Sequence, residues 1–212
     1  SDFQIDGVFA NLKDLHRLNL CNNRLTSISN LTFRGLSNLR DLYLCNNSIT
    51  HLDAHSFYSL DKLMRLVLSN NKLESVKEMG LPSSLHYLNF GKNNLTYLDE
   101  ETFNGCRFLN TLVLNNNQIE KIQLKTFRDM SYLTHLFLSN NALMKLHCHF
   151  PENLRRLFLD FNSLTEIPGS CFTADSSLDT LSLAFNKISQ LNKNSFINVK
   201  FLTKLDLSGN EL

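Results

Sequence analysis

Few residues in this 212-residue chain are of types and spacings that do chemistry. His147-Cys148-His149 sets three metal-ligand types in a row. Successive side chains of an extended backbone point in alternating directions, so these three cannot face one ion without a bend, and an exposed loop is the expected setting. The five cysteines are an odd number, and their spacings fit no zinc framework. A glycine-rich phosphate loop, an HExxH zinc helix and a GxSxG nucleophile turn are all missing from the sequence. No catalytic residue, metal or cofactor is therefore assigned. The remaining chemistry is modification: Asn30-Leu31-Thr32, Asn46-Asn47-Ser48 and Asn94-Leu95-Thr96 are N-glycosylation sequons, usable only by a secreted chain.

The elements that position these residues come from a repeat. The pattern LxxLxLxxNxL starts at Leu15, Leu39, Leu63, Leu85, Leu109, Leu133, Leu154, Leu178 and Leu202. Eight residues after each start come Asn23, Asn47, Asn71, Asn93, Asn117, Asn141, Asn162, Asn186 and Asn210. This is the leucine-rich-repeat signature. In the turn from Leu39, the inward residues Leu39, Leu42 and Leu44 are separated by Arg40, Asp41 and Tyr43, which predicts a short strand with leucines facing the core. Asn47 ends the strand, and its amide is expected to satisfy backbone groups of adjacent turns. Phe33, Phe57, Phe103, Phe127, Phe172 and Phe196 each fall eighteen residues after a start, with Phe9 in the equivalent place, and read as a buried convex spine. The predicted fold is an α/β leucine-rich-repeat solenoid. It is a curved right-handed horseshoe with a concave parallel β-sheet and an irregular or short 3-10 convex side. Residues 1–212 are read as one array without its terminal caps, a piece of a longer chain.

Repeat lengths run 24, 24, 22, 24, 24, 21, 24 and 24 residues. The short turns carry Leu81-Pro82-Ser83-Ser84-Leu85 and Phe150-Pro151-Glu152-Asn153-Leu154, where proline is expected to replace the phenylalanine segment with extended backbone. Cys21 and Cys45 both lie six residues after their starts, one turn apart. A disulfide fits that separation, but two small side chains at a half-buried strand end is the preferred reading. Cys106 occupies a core slot, and Cys148 and Cys171 are candidates for a second bridge.

Composition narrows the function. Lys+Arg is 21 against Asp+Glu 20, a net charge of +1, so no global field draws nucleic acid or an anionic membrane. No apolar run approaches the ~20 residues of a membrane span. The solvent-facing column four residues after each start reads Asn19, Tyr43, Val67, Asn89, Val113, Phe137, Phe158, Ser182 and Asp206. Two residues earlier the column includes Tyr87, His135 and Arg156. Apolar and aromatic residues stand where a solvated strand carries polar ones. Phe161 and Phe185 sit at strand ends beside them, and Arg155 joins Arg156 and His135 on the rim. Tyr43, Val67, Tyr87, Val113, His135, Phe137, Arg155, Arg156, Phe158, Phe161 and Phe185 are thus the expected partner-binding residues. Two alternatives stay open: Phe161 and Phe185 fold back over the turn, or a second copy of the chain covers the face as a homodimer.

The long-long-short rhythm, with its LPxxL motif at Leu81-Pro82-Ser83-Ser84-Leu85, resembles the small leucine-rich proteoglycans of the extracellular matrix. Ser1-Asp2-Phe3-Gln4-Ile5-Asp6-Gly7-Val8-Phe9 also resembles their lengthened repeats. That resemblance implies a secreted, non-enzymatic matrix protein holding collagen, a growth factor or a receptor on its concave face. The abundant phenylalanine and the Cys-Asn-Asn strand ends are similar to Toll-like receptor ectodomains, which implies a cell-surface or innate-immune receptor as the alternative.

Overall fold

The structure, a computed structural model, describes residues 5–147 and 149–212. Its strands in chain order are β1 (Arg17–Asn19), β2 (Ser27–Ile28), β3 (Asp41–Tyr43), β4 (His51–Leu52), β5 (Arg65–Val67), β6 (Tyr87–Asn89), β7 (Tyr97–Leu98), β8 (Thr111–Val113), β9 (Lys121–Ile122), β10 (His135–Phe137), β11 (Arg156–Phe158), β12 (Thr180–Ser182) and β13 (Lys204–Asp206). Nine of them form one sheet in the order β1-β3-β5-β6-β8-β10-β11-β12-β13. Every pairing in it is parallel, and each repeat position faces its equivalent one turn on, as in Leu136↔Leu157 and Phe137↔Phe158. One solenoid turn per repeat gives that register. The alternation of the strands then sends the leucines inward: Leu42, Leu66, Leu88, Leu112, Leu136 and Leu157 are fully buried.

The asparagines do what their position requires. Asn117 Nδ2 donates to the carbonyls of Leu114 and Phe90, each at 3.0 Å, and its Oδ1 accepts the Leu95 N–H at 3.0 Å. Asn71, Asn93, Asn162 and Asn186 repeat the arrangement from buried positions. The amide thereby pairs backbone groups that the turn would otherwise leave open inside the core. The residue just before each ladder asparagine bends the chain through the left-handed region. Asn22, Asn46, Asn70, Asn116 and Asn140 have φ between 54° and 60°. Asparagine tolerates this conformation better than other side chains.

On the convex side the phenylalanine rings stack from turn to turn, with centroids 6.0 Å apart for Phe33–Phe57 and 6.3 Å for Phe103–Phe127. The second short turn does not interrupt this spine, contrary to the expectation of a proline in its place, whereas the first has no phenylalanine in it. Phe150 lies buried between Phe127 and Phe172, at 6.1 and 5.7 Å, and Met79 is buried in the other short turn. Pro151 and Pro82 follow the spine residue rather than replacing it. The rest of the convex side is irregular, with the two-stranded ladders β2–β4 and β7–β9 and one 3-10 turn at Gly169–Cys171. Among the described residues there is no α-helix, and no helix long and apolar enough to cross a membrane.

The preferred reading of Cys21 and Cys45 is overturned. They form a disulfide, because in-register parallel strands bring their Cα atoms to 4.5 Å, inside the range a bridge needs. Cys106 is fully buried, and burial pushes its thiol pKa up to about 12. Cys148 lies outside the described residues, so the second bridge and the middle of His147-Cys148-His149 do as well. Its neighbours His147 and His149 are exposed.

Candidate interaction surface

The outward side chains of the sheet fall into two chemically different halves. In the first, charges satisfy one another. Arg17 reaches Asp41 at 3.2 Å, Arg65 reaches the same carboxylate at 3.7 Å, and the Arg65 guanidinium lies 4.6 Å from the Tyr87 ring centroid. Pairs this exposed stabilise the fold little, but they tie Arg17 and Arg65 to one carboxylate. Tyr43 and Val67 are half-buried beside them. The Cys21–Cys45 disulfide closes the strand ends of the same half.

The second half is aromatic. Register sets Val113 beside Phe137, Phe137 beside Phe158, and Phe158 beside Ser182. The Phe137 and Phe158 rings stack at 5.0 Å with 3° between their planes. His135 pairs in register with Arg156 one turn on. Burial lowers the His135 pKa, the Arg156 charge lowers it further, Asp179 opposes and Arg155 adds to the fall. The imidazole is therefore held toward its neutral form. Arg155 precedes β11 and is exposed.

Beyond the strand ends, Asp160 ties three turns together. Its carboxylate accepts hydrogen bonds from Ser139 Oγ at 3.0 Å, from Ser182 Oγ and from the Ala184 N–H at 3.1 Å. Phe161 and Phe185 follow on the edge of the sheet. They do not fold back over the turn. They are 51% and 53% exposed and stack on each other at 4.6 Å. The structure thus brings His135, Phe137, Arg156 and Phe158 into one patch, with Val113 at its margin and Phe161 and Phe185 along its edge. It leaves Tyr43, Val67 and Tyr87 in the charge-paired half.

The sequons differ in setting. Asn30 and Asn46 are exposed, and Asn94 is half-buried. The Asn46 amide also belongs to an outer ladder, donating to Asn22 Oδ1 at 2.9 Å and accepting from Asn70 at 2.7 Å. Sequence reasoning missed a second aromatic run at the strand starts, where His86 stacks on Phe108 at 6.4 Å and Tyr132 lies tilted against Phe108 at 5.4 Å. Phe108 and Tyr132 precede their start leucines by one residue, so reading that column would have found them. A convex cleft of about 430 Å³ is lined by His55, Lys77, Glu78 and Asp99, among others, and its Lys77 and Asp99 pair at 3.2 Å. Among the described residues, no three His, Cys, Asp or Glu side chains converge as metal ligands would.

A leucine-lined parallel solenoid with an asparagine ladder and a side-chain-bearing concave sheet defines a class. The chain belongs to the leucine rich repeat family, whose pattern matches residues 6–44, 37–83, 83–143 and 152–212. Within that family it is similar to small leucine-rich proteoglycans. It is 37% identical over 93 residues to keratocan of Gallus gallus, covering 43% of this chain and 26% of keratocan. Lumican of Oryctolagus cuniculus is 38% identical over 88 residues, covering 41% of this chain and 45% of that sequence. The chain therefore matches less than half the length of these relatives. Among solved structures it is similar to a chain of the octameric complex of Latrophilin 3, Unc5D and the FLRT2 LRR region, with a TM-score of 0.85 and 27% identity over 93% of this chain and 62% of that one.

Proposed function

We propose that this chain is a non-enzymatic, extracellular protein-binding module of the matrix. Its ligand is a matrix protein such as collagen, or a growth factor, held on the second half of the concave sheet. The observation that carries this reading is the Phe137–Phe158 stack, which stands in solvent-facing columns with Arg156 and His135 beside it. Aromatic and arginine side chains at the centre of an exposed patch are where binding energy concentrates. The Cys21–Cys45 disulfide suits an oxidising compartment. The likeness to matrix proteoglycans favours the same location, with Asn30, Asn46 and Asn94 as the glycan acceptors. Residues 1–212 act together as one array presenting this face.

The test is capture from an extracellular-matrix extract, with purified collagen run in parallel. The wild-type chain retains a defined protein that a Phe137→Ala/Phe158→Ala variant of unchanged thermal stability releases. Equal retention by both contradicts the reading. Self-association lost in the variant, with no other protein captured, transfers the face to a second copy of the chain.

A further inference from the structure

Four of the nine outer-edge positions depart from asparagine, Lys92, Phe161, Phe185 and Gly209, and the two phenylalanines are the bulkiest of them. The position before each ladder asparagine is left-handed, and at five turns it holds asparagine. At two adjacent turns it holds phenylalanine: Phe161 has φ of 54° and Phe185 of 53°. A bulky side chain with a β-carbon is strained there. Both rings are also about half exposed, so water contact adds to the strain. Asparagine at either position would relieve both, as Asn140 does one turn earlier with φ of 55°.

The surroundings fit the rings rather than merely tolerate them. Phe161 and Phe185 lie parallel to within 6°. Gly209 occupies the same position one turn on, also left-handed at φ of 68°, and a β-carbon there would lie 2.6 Å from Phe185 Cδ1. Asp160, one residue before Phe161, has its carboxylate engaged by Ser139, Ser182 and the Ala184 N–H. The stacked rings cover one face of each other, and about half of each side chain is open to solvent, a surface that another aromatic ring can pack against. Arg155 and Arg156 stand exposed at the other end of the same turn.

We propose that Phe161 and Phe185 are specificity-determining residues of the binding face. They take a polypeptide segment that lays an aromatic ring against their exposed surface and sets a carboxylate toward Arg155 and Arg156. The assignment rests on the concave-face reading given above. Arg156 opens β11 and Phe161 follows its end in the same turn, so both can face one ligand.

The test selects a displayed library of random dodecapeptides on the wild-type chain and measures the enriched peptides against three variants. Enriched peptides carry an aromatic residue together with an Asp or Glu. They bind Phe161→Asn/Phe185→Asn at least about tenfold more weakly, while that variant melts at a higher temperature than wild type. Arg155→Gln/Arg156→Gln weakens them to a similar degree. If the asparagine variant melts lower and keeps its affinity, the rings are structural and the proposal is overturned. Enrichment of peptides lacking acidic residues, or no enrichment at all, also overturns it. Loss of binding in Phe137→Ala with full binding in the asparagine variant removes this assignment and leaves the concave-face reading standing. Unchanged binding in all three variants removes both.

Discussion

At the residue scale, the amide of Asn117 does the work of three hydrogen bonds. Asn117→Ala leaves those backbone groups unpaired in the interior and is expected to cost about 1–3 kcal/mol in urea melts. Its neighbour Asn116 is left-handed at φ of 56°, so Asn116→Ala is not a silent control; alanine is disfavoured there by roughly 1–2 kcal/mol. Asn116→Gly is the control expected to change little. A melt in which Asn117→Ala and Asn116→Gly lose the same stability would contradict the ladder. His135 gives the pH dependence. Burial, with the Arg156 charge behind it, lowers its pKa below the ordinary 6.5. Between the lowered value and 6.5 the unfolded chain binds more protons than the folded one, so stability rises with pH there. The contribution is whole above the ordinary histidine range and is lost as pH falls through the lowered value. An NMR titration of His135 should show the downward shift, and His135→Gln should flatten the acid limb of the stability profile.

At the scale of the element, the strand is the best-read part of the sequence. A period of two fixes which way each side chain points, so Leu42 inward and Tyr43 outward followed from spacing alone. Contacts between turns were read less well, because they depend on distances that spacing does not supply. Cys21 and Cys45 illustrate this: the columns placed them one turn apart, but only the 4.5 Å Cα separation decides for a bond. Phe150 shows the other failure. It falls seventeen residues after Leu133 instead of eighteen, so a fixed count skipped it although the shorter turn still delivers it to the spine. The left-handed edge position went unread because asparagine there resembles any polar loop residue until φ is known. The disulfide closes a loop spanning 24 residues, so Cys21→Ser/Cys45→Ser is expected to cost about 3 kcal/mol by loop entropy. Equal denaturation midpoints with and without reductant would contradict that.

At the scale of the whole molecule, the repeat makes every turn alike in the core and leaves the outer columns free to differ. That freedom is used unevenly. The first half of the concave sheet ties its charges to one another through Arg17, Asp41, Arg65 and Tyr87. The second half leaves aromatic rings and arginines facing outward. The sequence columns identified the aromatic centre but could not separate the halves, since Tyr43 and Tyr87 look as available as Phe158 until their neighbours are seen. The most direct measurement of the central claim is the affinity of a captured matrix ligand for single alanine variants along the column. The account predicts that Phe137→Ala and Phe158→Ala each weaken binding by about 2 kcal/mol or more. Tyr43→Ala should leave it within a few tenths. The buried control Phe127→Ala should instead lower fold stability by about 3–5 kcal/mol. Losses spread evenly from Tyr43 to Phe158, or confined to Tyr43, would contradict it.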